Sequence, residues 1–358
     1  MVFLLIVAVL SQCRKEVEPP TVNIPDNNFL NALIELGVDT NGDGQISHEE
    51  AEVVISLDVS NDSISDMTGI EKFINLDSLR CNNNQLTTLD VKENTALEWL
   101  YCYGNQLTAL DVSHNIALKW LNCRNNKLSR LEVSNNLYLE ELECSNNQLT
   151  SLDVSKNTNL KWLSCVNANL TYLNLSNTTV LEYLNCSMNY LTSLDITYNT
   201  ELIRLLCPNN DLTSLDISNS IALETIEVWN NNLATLNVSN ITALITIDVR
   251  GNGLTNLDVS NNNALNRLDC SFNQLTSMDV SNQPDFNILL CGGNQLTSLD
   301  LSNNSSFGQL GYGFPCHLDI GDMPSLEKVC VWTMPFPPEV LVLCADGSPN
   351  VYFTTDCN

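Results

Sequence analysis

The residues with the clearest chemical pattern lie between Asp39 and Glu50. Oxygen-bearing side chains occupy the first, third, fifth, ninth and twelfth places of this stretch. Gly44, in sixth place, permits a sharp reversal of the chain, and Gln45 can add its backbone carbonyl. Ca²⁺ prefers about six to eight oxygen ligands, and this spacing wraps the chain around one ion. The predicted calcium ligands are Asp39, Asn41, Asp43, Gln45, Ser47 and Glu50.

The same stretch also has a purely structural interpretation. Asn41 to Gly44 could form only a turn, and Ser47 with Glu50 only a capping box at the start of a helix. Both interpretations hold together if Glu50 lies in the first helical turn and still reaches the ion. The pattern is that of an EF-hand loop, with residues 29–36 as its predicted entering helix. A single loop in a chain with only 6 Met favours a structural ion over a sensor, because sensors expose a Met-rich groove.

Composition excludes several classes of function. The chain has 358 residues with 15 Lys and Arg against 42 Asp and Glu, a formal net charge of −27. Such a polyanion repels nucleic acids and anionic membranes, so no nucleic-acid partner is expected. The hydrophobic fraction of 44% is sufficient for a core and argues against global disorder.

Catalytic pairs are not expected either. His48, His114 and His317 are far apart in the sequence, so we expect no Cys–His or Ser–His pair to form. The chain has no HExxH motif and no phosphate-binding loop. The sequence therefore predicts a protein that is not an enzyme.

Most of the chain follows a period of 21 residues, and this repeat sets the positions of the other candidate functional residues. The unit is L-x-x-L-x-C-x-x-N-x-L-T-x-L-D-V-S-x-N-x-x, repeated without insertion in eleven full units from Leu76 to Ser306, after a 22-residue variant from Val54 to Asn75. The first positions of successive units are Leu76, Leu97, Leu118, Leu139, Leu160, Leu181, Leu202, Leu223, Leu244, Leu265, Phe286 and Phe307. This is the leucine-rich-repeat signature.

The period predicts a mainly β solenoid. One short strand per repeat should stack into a parallel sheet at about 4.8 Å per repeat, so about twelve turns give a rod of roughly 55 Å. The second half of the unit leaves no room for a helix, so we expect extended or 3-10 backing. The Asn at position 9 should turn inward and bond backbone groups. Ala168 interrupts that row, which predicts a locally weaker repeat.

Two further rows have structural interpretations that we favour. The position 6 cysteines should be free, buried and apolar in role, because a parallel row satisfies neither disulfide nor tetrahedral metal geometry. They are Cys81, Cys102, Cys123, Cys144, Cys165, Cys186, Cys207, Cys270 and Cys291. The acidic row at position 15, from Asp90 to Asp300, should be a solvated back face, with some carboxylates accepting turn N–H groups. Binding of further cations by that row stays an alternative.

Positions 3, 5 and 7 of each unit should face solvent on the concave side of the sheet. Four of the five Trp occur there, although a solvated face gives no packing reason for them. Exposed aromatics beside Arg are typical of recognition surfaces, whereas stacking between strands would explain them structurally. From Leu206 onward these positions become less aromatic, so the binding face is placed on the N-terminal half. Its predicted residues are Arg80, Trp99, Tyr101, Tyr103, Trp120, Arg124, Trp162 and Tyr183.

The N-terminus predicts export. Residues 2–10 are apolar and too few to span a bilayer, and Leu10-Ser11-Gln12-Cys13 resembles the cleavage and acylation site of bacterial lipoproteins. We expect a signal peptide at 1–12 and a tether at 13–22 lipidated on Cys13, with ordinary secretion as the alternative. The predicted domains continue as an N-terminal cap at 23–53, repeats at 54–325 and a C-terminal cap at 326–358.

Four cysteines lie off the repeat row near the C-terminus, at Cys316, Cys330, Cys344 and Cys357. In an exported protein they favour disulfides, and four cysteines allow three pairings. The N-terminal region, the repeat and the ending Val329-CVWTMPFPP…SPNVYFTTDC together resemble secreted and surface-anchored leucine-rich-repeat proteins of Gram-negative bacteria, with an internalin-like repeat. This resemblance extends over nearly the whole mature chain. It implies a Cys330–Cys357 bridge, which leaves Cys316–Cys344 as the remaining pair.

The resemblance also implies a binding or adhesion role at the outer membrane or cell surface. We expect a monomer that binds a protein on the concave face, with a glycan stacked on Trp and Tyr as the alternative. Arg and Glu among the aromatics favour a protein partner, whereas a run of coplanar Trp would favour a glycan.

Overall fold

The computed structural model describes residues 20–307, 316–338 and 341–357. The predicted signal peptide and the lipidation site Cys13 lie outside these residues. No helix in the described ranges has the length and apolar character needed to cross a membrane.

Two short helices build the N-terminal cap. Helix α1 spans Asn27–Glu35 and α2 spans His48–Glu52, with the calcium-type loop between them. The buried faces of α1 and α2 seal the first repeat with residues such as Phe29 and Leu33, both fully buried.

The cap begins earlier than the sequence predicted. The Val22 N–H donates to the Ile46 carbonyl at 2.7 Å, and Thr21 forms an antiparallel bridge with Ser47. The His48 N–H donates to the Pro20 carbonyl at 3.0 Å. Residues 20–22 therefore pack in the cap, and their assignment to the tether was wrong, because a proline-rich composition did not reveal these backbone bonds.

Each repeat contributes one three-residue strand to the front, and some contribute a second at the back. The strands of the described residues are β1 Ser56–Asp58, β2 Ser78–Arg80, β3 Trp99–Tyr101, β4 Trp120–Asn122, β5 Glu141–Glu143, β6 Ser151–Asp153, β7 Trp162–Ser164, β8 Tyr172–Asn174, β9 Tyr183–Asn185, β10 Arg204–Leu206, β11 Thr225–Glu227, β12 Thr246–Asp248, β13 Arg267–Asp269, β14 Ile288–Leu290, β15 Ser298–Asp300, β16 Leu318–Asp319, β17 Lys328–Cys330, β18 Leu343–Cys344 and β19 Tyr352–Thr354.

Fourteen of these strands form one parallel front sheet, in the order β1-β2-β3-β4-β5-β7-β9-β10-β11-β12-β13-β14-β16-β18. The leucine-rich-repeat solenoid is therefore confirmed, but the sequence undercounted its turns. Leu289 pairs with Leu318 and Leu318 with Leu343, steps of 29 and 25 residues that hide the period. The predicted C-terminal cap thus includes a further turn of the solenoid, where twelve turns had been expected.

The core is a stack of identical layers. The position 1 and position 4 side chains, Leu76 and Leu79 in the first unit, are fully buried in successive repeats. The nine position 6 cysteines are free and fully buried, as predicted. Burial raises the pKa of the Cys81 thiol to about 12, so this thiol stays protonated and apolar in character.

Two rows of buried Asn hold the layers together. At position 9, Asn105 Nδ2 donates to the carbonyls of Cys81 and Cys102, while its Oδ1 accepts the Leu86 N–H at 3.0 Å. A second row at position 19, whose role the sequence analysis missed, repeats the device at the back. There Asn115 Nδ2 donates to the Val91 and Asn94 carbonyls.

The position 9 row has its predicted gap at Ala168. The acceptor that would serve the Leu149 N–H is absent, because Ala168 has no side-chain oxygen. The backbone departs from that of the adjacent repeats at Asn169, which has a φ of 64°, whereas the positive φ of Asn167 recurs at position 8 of those repeats. The gap coincides with β8, which pairs with β6 in a two-stranded sheet at the back.

The back has no α-helix in the described repeats and one 3-10 helix, at Ile70–Lys72 in the variant repeat. After position 15 each repeat forms tight turns, such as the one closed by the 3.0 Å bond from the Asn94 N–H to the Val91 carbonyl. Many position 15 carboxylates accept a backbone N–H two residues later, as in the 2.9 Å bond from Ser113 N to Asp111 Oδ1. This local bond fixes each back turn.

Two disulfides close the C-terminal end. Cys316 is bonded to Cys344 and Cys330 to Cys357, with Cα–Cα distances of 5.9 and 5.5 Å. These are the pairs implied by the family resemblance. Trp332, the one Trp off the front face, stacks on buried Phe307 at 5.9 Å and covers the last layers.

Candidate functional site

The front face carries a patch of aromatic and cationic side chains on its N-terminal half. We call it the N-terminal patch, and it consists of Arg80, Trp99, Tyr101, Tyr103, Trp120, Arg124, Trp162 and Tyr183. The parallel register places Trp99 beside Trp120 and Arg80 beside Tyr101 on neighbouring strands. The aromatic rings are half-buried and the two guanidinium groups are exposed.

Contacts within the patch join cations to rings. The Arg80 guanidinium lies 4.6 Å from the centre of the Tyr101 ring, which is itself tilted against Trp120 at 6.1 Å. The Arg124 guanidinium lies 5.1 Å from the centre of the Tyr103 ring. These contacts hold the side chains in fixed positions and so reduce the entropy that a partner must overcome.

The two other Trp of the patch make different contacts, Trp99 with a cation and Trp162 with another ring. Trp99 is covered by the Lys119 ammonium at 5.6 Å. Trp162 and Tyr183 are coplanar to within 6° at 5.1 Å. Trp162 and Tyr183 each cover part of the other ring, so stacking between neighbouring strands also stabilises the sheet.

Three arginines on the front face have no acidic partner in the described chain. No described carboxylate lies within 4.0 Å of the guanidinium of Arg80, Arg124 or Arg204. Asp58 pairs in register with Arg80, but its Oδ1 accepts hydrogen bonds from the Ser60 N–H and hydroxyl instead. Unpaired guanidiniums are unexpected in a chain with 42 acidic residues.

The C-terminal half carries a cluster that the sequence analysis missed. Arg250 lies 4.5 Å from the Trp229 ring centre, and its Nη1 is 3.3 Å from Asp248 Oδ2 and 3.2 Å from Asp269 Oδ2. The two carboxylates are almost completely buried, with side-chain exposures of 7% and 2%. Acidic residues at position 5 of three successive repeats, beginning with Glu227, were the available signal.

Burial changes the protonation of this cluster. Burial, together with the neighbouring Asp269 carboxylate, raises the pKa of Asp248 to about 7, although Arg250 opposes the shift. Asp248 is thus partly protonated near neutral pH. The positive charge of Arg250 is largely compensated by the carboxylates of Asp248 and Asp269.

The loop from Asp39 to Glu50 is held by hydrogen bonds between its own side chains and backbone. Asp39 accepts the Gly42 and Gly44 N–H groups at 2.8 and 2.9 Å, and Asn41 Oδ1 accepts the Asp43 N–H at 2.8 Å. Gly42 and Gly44 both have positive φ, which glycine adopts without strain. Asn41 Nδ2 also donates to Asp43 Oδ2 at 3.0 Å, so these two side chains are in contact.

Glu50 points to different partners. Its Oε1 accepts the Thr40 N–H and hydroxyl at 2.8 and 2.7 Å, and its Oε2 accepts the Ser47 N–H and hydroxyl, both at 2.9 Å. Burial alone would raise the pKa of Glu50, but these hydrogen bonds outweigh it and hold the pKa at about 2. The capping box is therefore formed. The carboxylates of Asp39, Asp43 and Glu50 are not all within 4.8 Å of one another.

One Ser–His contact exists, contrary to the sequence expectation. Ser113 Oγ lies 3.3 Å from Nδ1 of His114, its direct neighbour, so separation of the histidines did not prevent it. His114 is exposed, and the Ser113–Asp111 bond recurs in other repeats as a turn device. His317 is buried, and its Nδ1 accepts the Val342 N–H at 3.1 Å.

The chain was compared with family models and with known proteins. No family model matches the chain. Internalin J of Listeria monocytogenes serotype 4b (strain F2365) is 42% identical over 71 residues, which is 20% of this chain and 8% of that protein. The chain therefore spans a small part of this relative's length.

Solved structures extend the match. The functional domain of InlJ from Listeria monocytogenes, described as including a cysteine ladder, aligns with a TM-score of 0.73 and 34% identity, over 86% of this chain and 75% of that one. The internalin InlF of the same species aligns with a TM-score of 0.64 at 22% identity, over 81% and 96% of the two chains. The ectodomain of an Arabidopsis thaliana receptor kinase, in complex with CASPARIAN STRIP INTEGRITY FACTOR 2, has a TM-score of 0.66 at 21% identity, over 86% and 43%. The last two show the fold alone.

The InlJ match covers most of both chains. That domain is described as including a cysteine ladder, and this chain has nine free, buried cysteines at position 6 of its repeat. The chain belongs to the internalin-like leucine-rich-repeat proteins.

Proposed function

We propose that this is a non-catalytic binding protein that recognises a protein partner through the N-terminal patch of its front face. The observation that carries the proposal is the pair of exposed guanidiniums, Arg80 and Arg124, fixed on Tyr101 and Tyr103 without an acidic partner in the described chain. Arg and aromatic residues dominate the binding energy of protein interfaces. The partner surface should therefore present carboxylates.

The distribution of charge supports this location. Positions 3, 5 and 7 of the front face carry five Arg and eight acidic residues, although acidic residues outnumber basic ones almost threefold in the whole chain. The Arg are Arg80, Arg124, Arg204, Arg250 and Arg267, and the acids are Asp58, Glu141, Glu143, Glu227, Asp248, Asp269, Asp319 and Asp346. The front face is thus close to neutral and avoids the repulsion that the rest of the surface exerts on an anionic partner.

The ring geometry favours a protein over a glycan at this patch. A flat polysaccharide would be served by a run of coplanar rings, but Tyr101 and Trp120 are tilted by 38°. Trp162 and Tyr183 are coplanar, yet they stack on one another. A solenoid of the same fold holds a separate factor in the plant receptor complex, which agrees with this type of role.

Selection from a displayed random peptide library tests the proposal. Peptides selected on the purified protein should be enriched in Asp and Glu, and the double variant Tyr101→Ala/Trp120→Ala should bind them at least about tenfold more weakly. Trp229→Ala, a front-face Trp outside the patch, is the matched control and should keep full affinity.

Two results would contradict the proposal. Selected peptides whose binding survives in Tyr101→Ala/Trp120→Ala would place recognition elsewhere. Failure to select peptides, with polysaccharide binding lost in that same variant, would assign the patch to a glycan.

We propose further that the loop from Asp39 to Glu50 binds one structural Ca²⁺. The proposal is supported by the spacing of the oxygen side chains in the sequence, and by the positive φ of both loop glycines, which lets the chain turn sharply. Glu50 would have to exchange hydrogen bonds from Thr40 for the ion, which predicts modest affinity.

Calorimetric titration of Ca²⁺ into chelator-treated protein tests the loop. We expect one saturable site, a higher melting temperature with Ca²⁺, and loss of both effects in Asp39→Ala. Glu49→Ala removes an exposed carboxylate beside the ligand set and should change neither effect. Absence of binding to the unaltered protein, or equal loss in both variants, would contradict the proposal.

We also propose that the protein is exported and anchored at the outer membrane through a lipid on Cys13. The lipoprotein-type motif and the two disulfides support this location. Metabolic labelling with an alkyne fatty acid should label the unaltered protein and not Cys13→Ser. Secretion of unlabelled protein would instead support the alternative without an anchor.

A further inference from the structure

Unusual residues on the back face can be recognised by comparing the same position in successive repeats. Position 13 holds Tyr172 in one repeat, and position 18 holds Tyr198 in the next. These side chains are 57% and 63% exposed, so neither is explained by packing into the core. At the equivalent places no other full unit has Tyr, Phe or Trp. The other residues are Thr88, Ala109, Arg130, Ser151, Ser193, Ser214, Thr235, Asn256, Ser277 and Ser298 at position 13, and Glu93, His114, Asn135, Lys156, Asn177, Asn219, Asn240, Asn261, Asn282 and Asn303 at position 18.

The two tyrosines line one pocket on the back of the solenoid. Its volume is about 200 Å³, and it is bounded by two successive repeats beside the two-stranded sheet of β6 and β8. The Asn gap at Ala168 lies in the first of these repeats. Besides the tyrosines, the pocket is lined by Leu173, Asn174, Leu175, Ser176, Ser193, Asp195 and Asn199.

The polar lining is suited to hydroxyl groups. Asp195 Oδ1 accepts the Thr197 N–H at 3.0 Å, and hydrogen bonds from the Thr197 backbone and side chain lower the pKa of Asp195. The carboxylate is therefore ionised and retains further acceptor positions. The Ser193 hydroxyl makes no hydrogen bond to the described residues, so it is available to a ligand.

The charge and the volume of the pocket restrict the class of ligand that it can bind. No Lys or Arg lines the pocket, Asp195 is ionised, and the whole chain carries −27, so an anionic ligand is disfavoured. The volume is below the range of about 300–1,000 Å³ usual for drug-sized ligands, and suits a single ring. Aromatic faces pack against C–H faces, while carboxylate, amide and hydroxyl groups bond ring hydroxyls.

We propose that this pocket binds one ring of a neutral glycan between Tyr172 and Tyr198. The site lies on the back of the solenoid and is independent of the N-terminal patch, which lies on the front. The protein would then hold a protein partner and a neutral glycan on opposite faces.

Saturation-transfer NMR of the purified protein tests the site with neutral cello-, malto-, manno-, xylo- and chito-oligosaccharides, and with oligogalacturonate as the anionic comparison. The test variant is Tyr172→Ser/Tyr198→Asn, which introduces residues found at these positions in other repeats and so preserves the fold. At least one neutral oligosaccharide should bind the unaltered protein, and the variant should bind it at least tenfold more weakly. Tyr138→Ala, an exposed Tyr elsewhere, and Trp120→Ala, on the front, should keep full affinity.

Four results would overturn the site. They are no binding of any neutral oligosaccharide in the panel, binding of oligogalacturonate alone, unchanged binding in the double variant, and loss of binding in Trp120→Ala. Peptide binding by the N-terminal patch should persist in Tyr172→Ser/Tyr198→Asn, so the two sites can fail separately.

Discussion

Arginine lies over an aromatic ring at both ends of the front face, but the neighbouring charges differ. Arg80, near the N-terminal end, lies over Tyr101, and no described carboxylate is within 4.0 Å of its guanidinium. Arg250, near the C-terminal end, lies over Trp229, with Nη1 3.3 and 3.2 Å from two buried carboxylates. The first charge is available to a partner, whereas the second compensates charge inside the protein.

The comparison shows that a cation on an aromatic ring does not by itself identify a binding site. Removing one member of a buried ion pair leaves uncompensated charge and destabilises the fold. Removing an unpaired, exposed guanidinium has little effect on folding but removes a contact from a partner. Substitutions at the two ends should therefore separate affinity from stability.

The largest expected effect is on affinity at the N-terminal end. Arg80→Glu/Arg124→Glu should weaken binding of the selected acidic peptides about 100-fold, because two charge-assisted contacts of about 1.5–3 kcal/mol each become repulsive or are lost. Fluorescence anisotropy measures the affinity. Arg130→Glu reverses an exposed charge at the back and should leave affinity unchanged. An equal loss in that control would show a general effect of net charge.

The next effect is on stability at the C-terminal end. Arg250→Ala should lower the free energy of unfolding by about 2 kcal/mol, because Asp248 and Asp269 lose their shared cation. Arg80→Ala should stay within about 0.5 kcal/mol of the unaltered protein. Urea denaturation followed by circular dichroism measures both variants. Equal destabilisation would remove the distinction between the two ends.

A smaller effect concerns the gap in the Asn row, in the repeat that contains Trp162. Ala168→Asn/Asn169→Gln restores the usual residues at positions 9 and 10, and should raise the free energy of unfolding by about 1 kcal/mol by supplying an acceptor for the Leu149 N–H. Asn147→Ala removes the same device one repeat earlier and should be destabilising. Amide hydrogen exchange around Leu149 reports the change, and faster exchange in the restored variant would contradict it.

The smallest expected effect is a dependence on pH. The pKa of Asp248 is raised to about 7 by burial and by Asp269, with Arg250 opposing and Glu227 adding to the shift. Between about pH 4 and 7 the native state binds this proton more readily than the unfolded chain, so its stabilising contribution is lost as pH rises through 7. Each pKa unit of difference corresponds to about 1.4 kcal/mol.

Asp248→Asn should flatten this dependence. Between pH 5 and 8 the unaltered protein should lose on the order of 1 kcal/mol more stability than Asp248→Asn, measured by urea denaturation. Asp58→Asn, at the same position of the first repeat but exposed, is the control and should retain the slope. Identical slopes in all three proteins would contradict the shift in Asp248.

The regular part of the molecule was predictable because one period fixes its sheet. The spacing of Leu76 to Phe307 predicted the front strands, the buried cysteines and the inward Asn. The final repeats were missed because steps of 29 and 25 residues break the period. The start of the cap was missed because the Val22 backbone bond leaves no side-chain pattern.

The sites were likewise predictable only where the period of the repeat determines which face a residue lies on. Arg80 and Trp120 could be assigned to the front face from position alone, but their pairing state required coordinates. Asp248 and Asp269 resemble any exposed polar residues in sequence, and only their neighbours show that they are buried. Tyr172 and Tyr198 are 26 residues apart, and the structure was needed to place them in one pocket.

Site-specific photo-crosslinking tests most directly whether the N-terminal patch is the recognition surface. A photoreactive phenylalanine would replace Asn122 within the patch, Thr246 at the C-terminal end of the front face, and Ser151 at the back, each in contact with a selected acidic peptide. We expect strong crosslinking from position 122 and background levels from positions 246 and 151. Equal or stronger crosslinking from position 246 or 151 would contradict it.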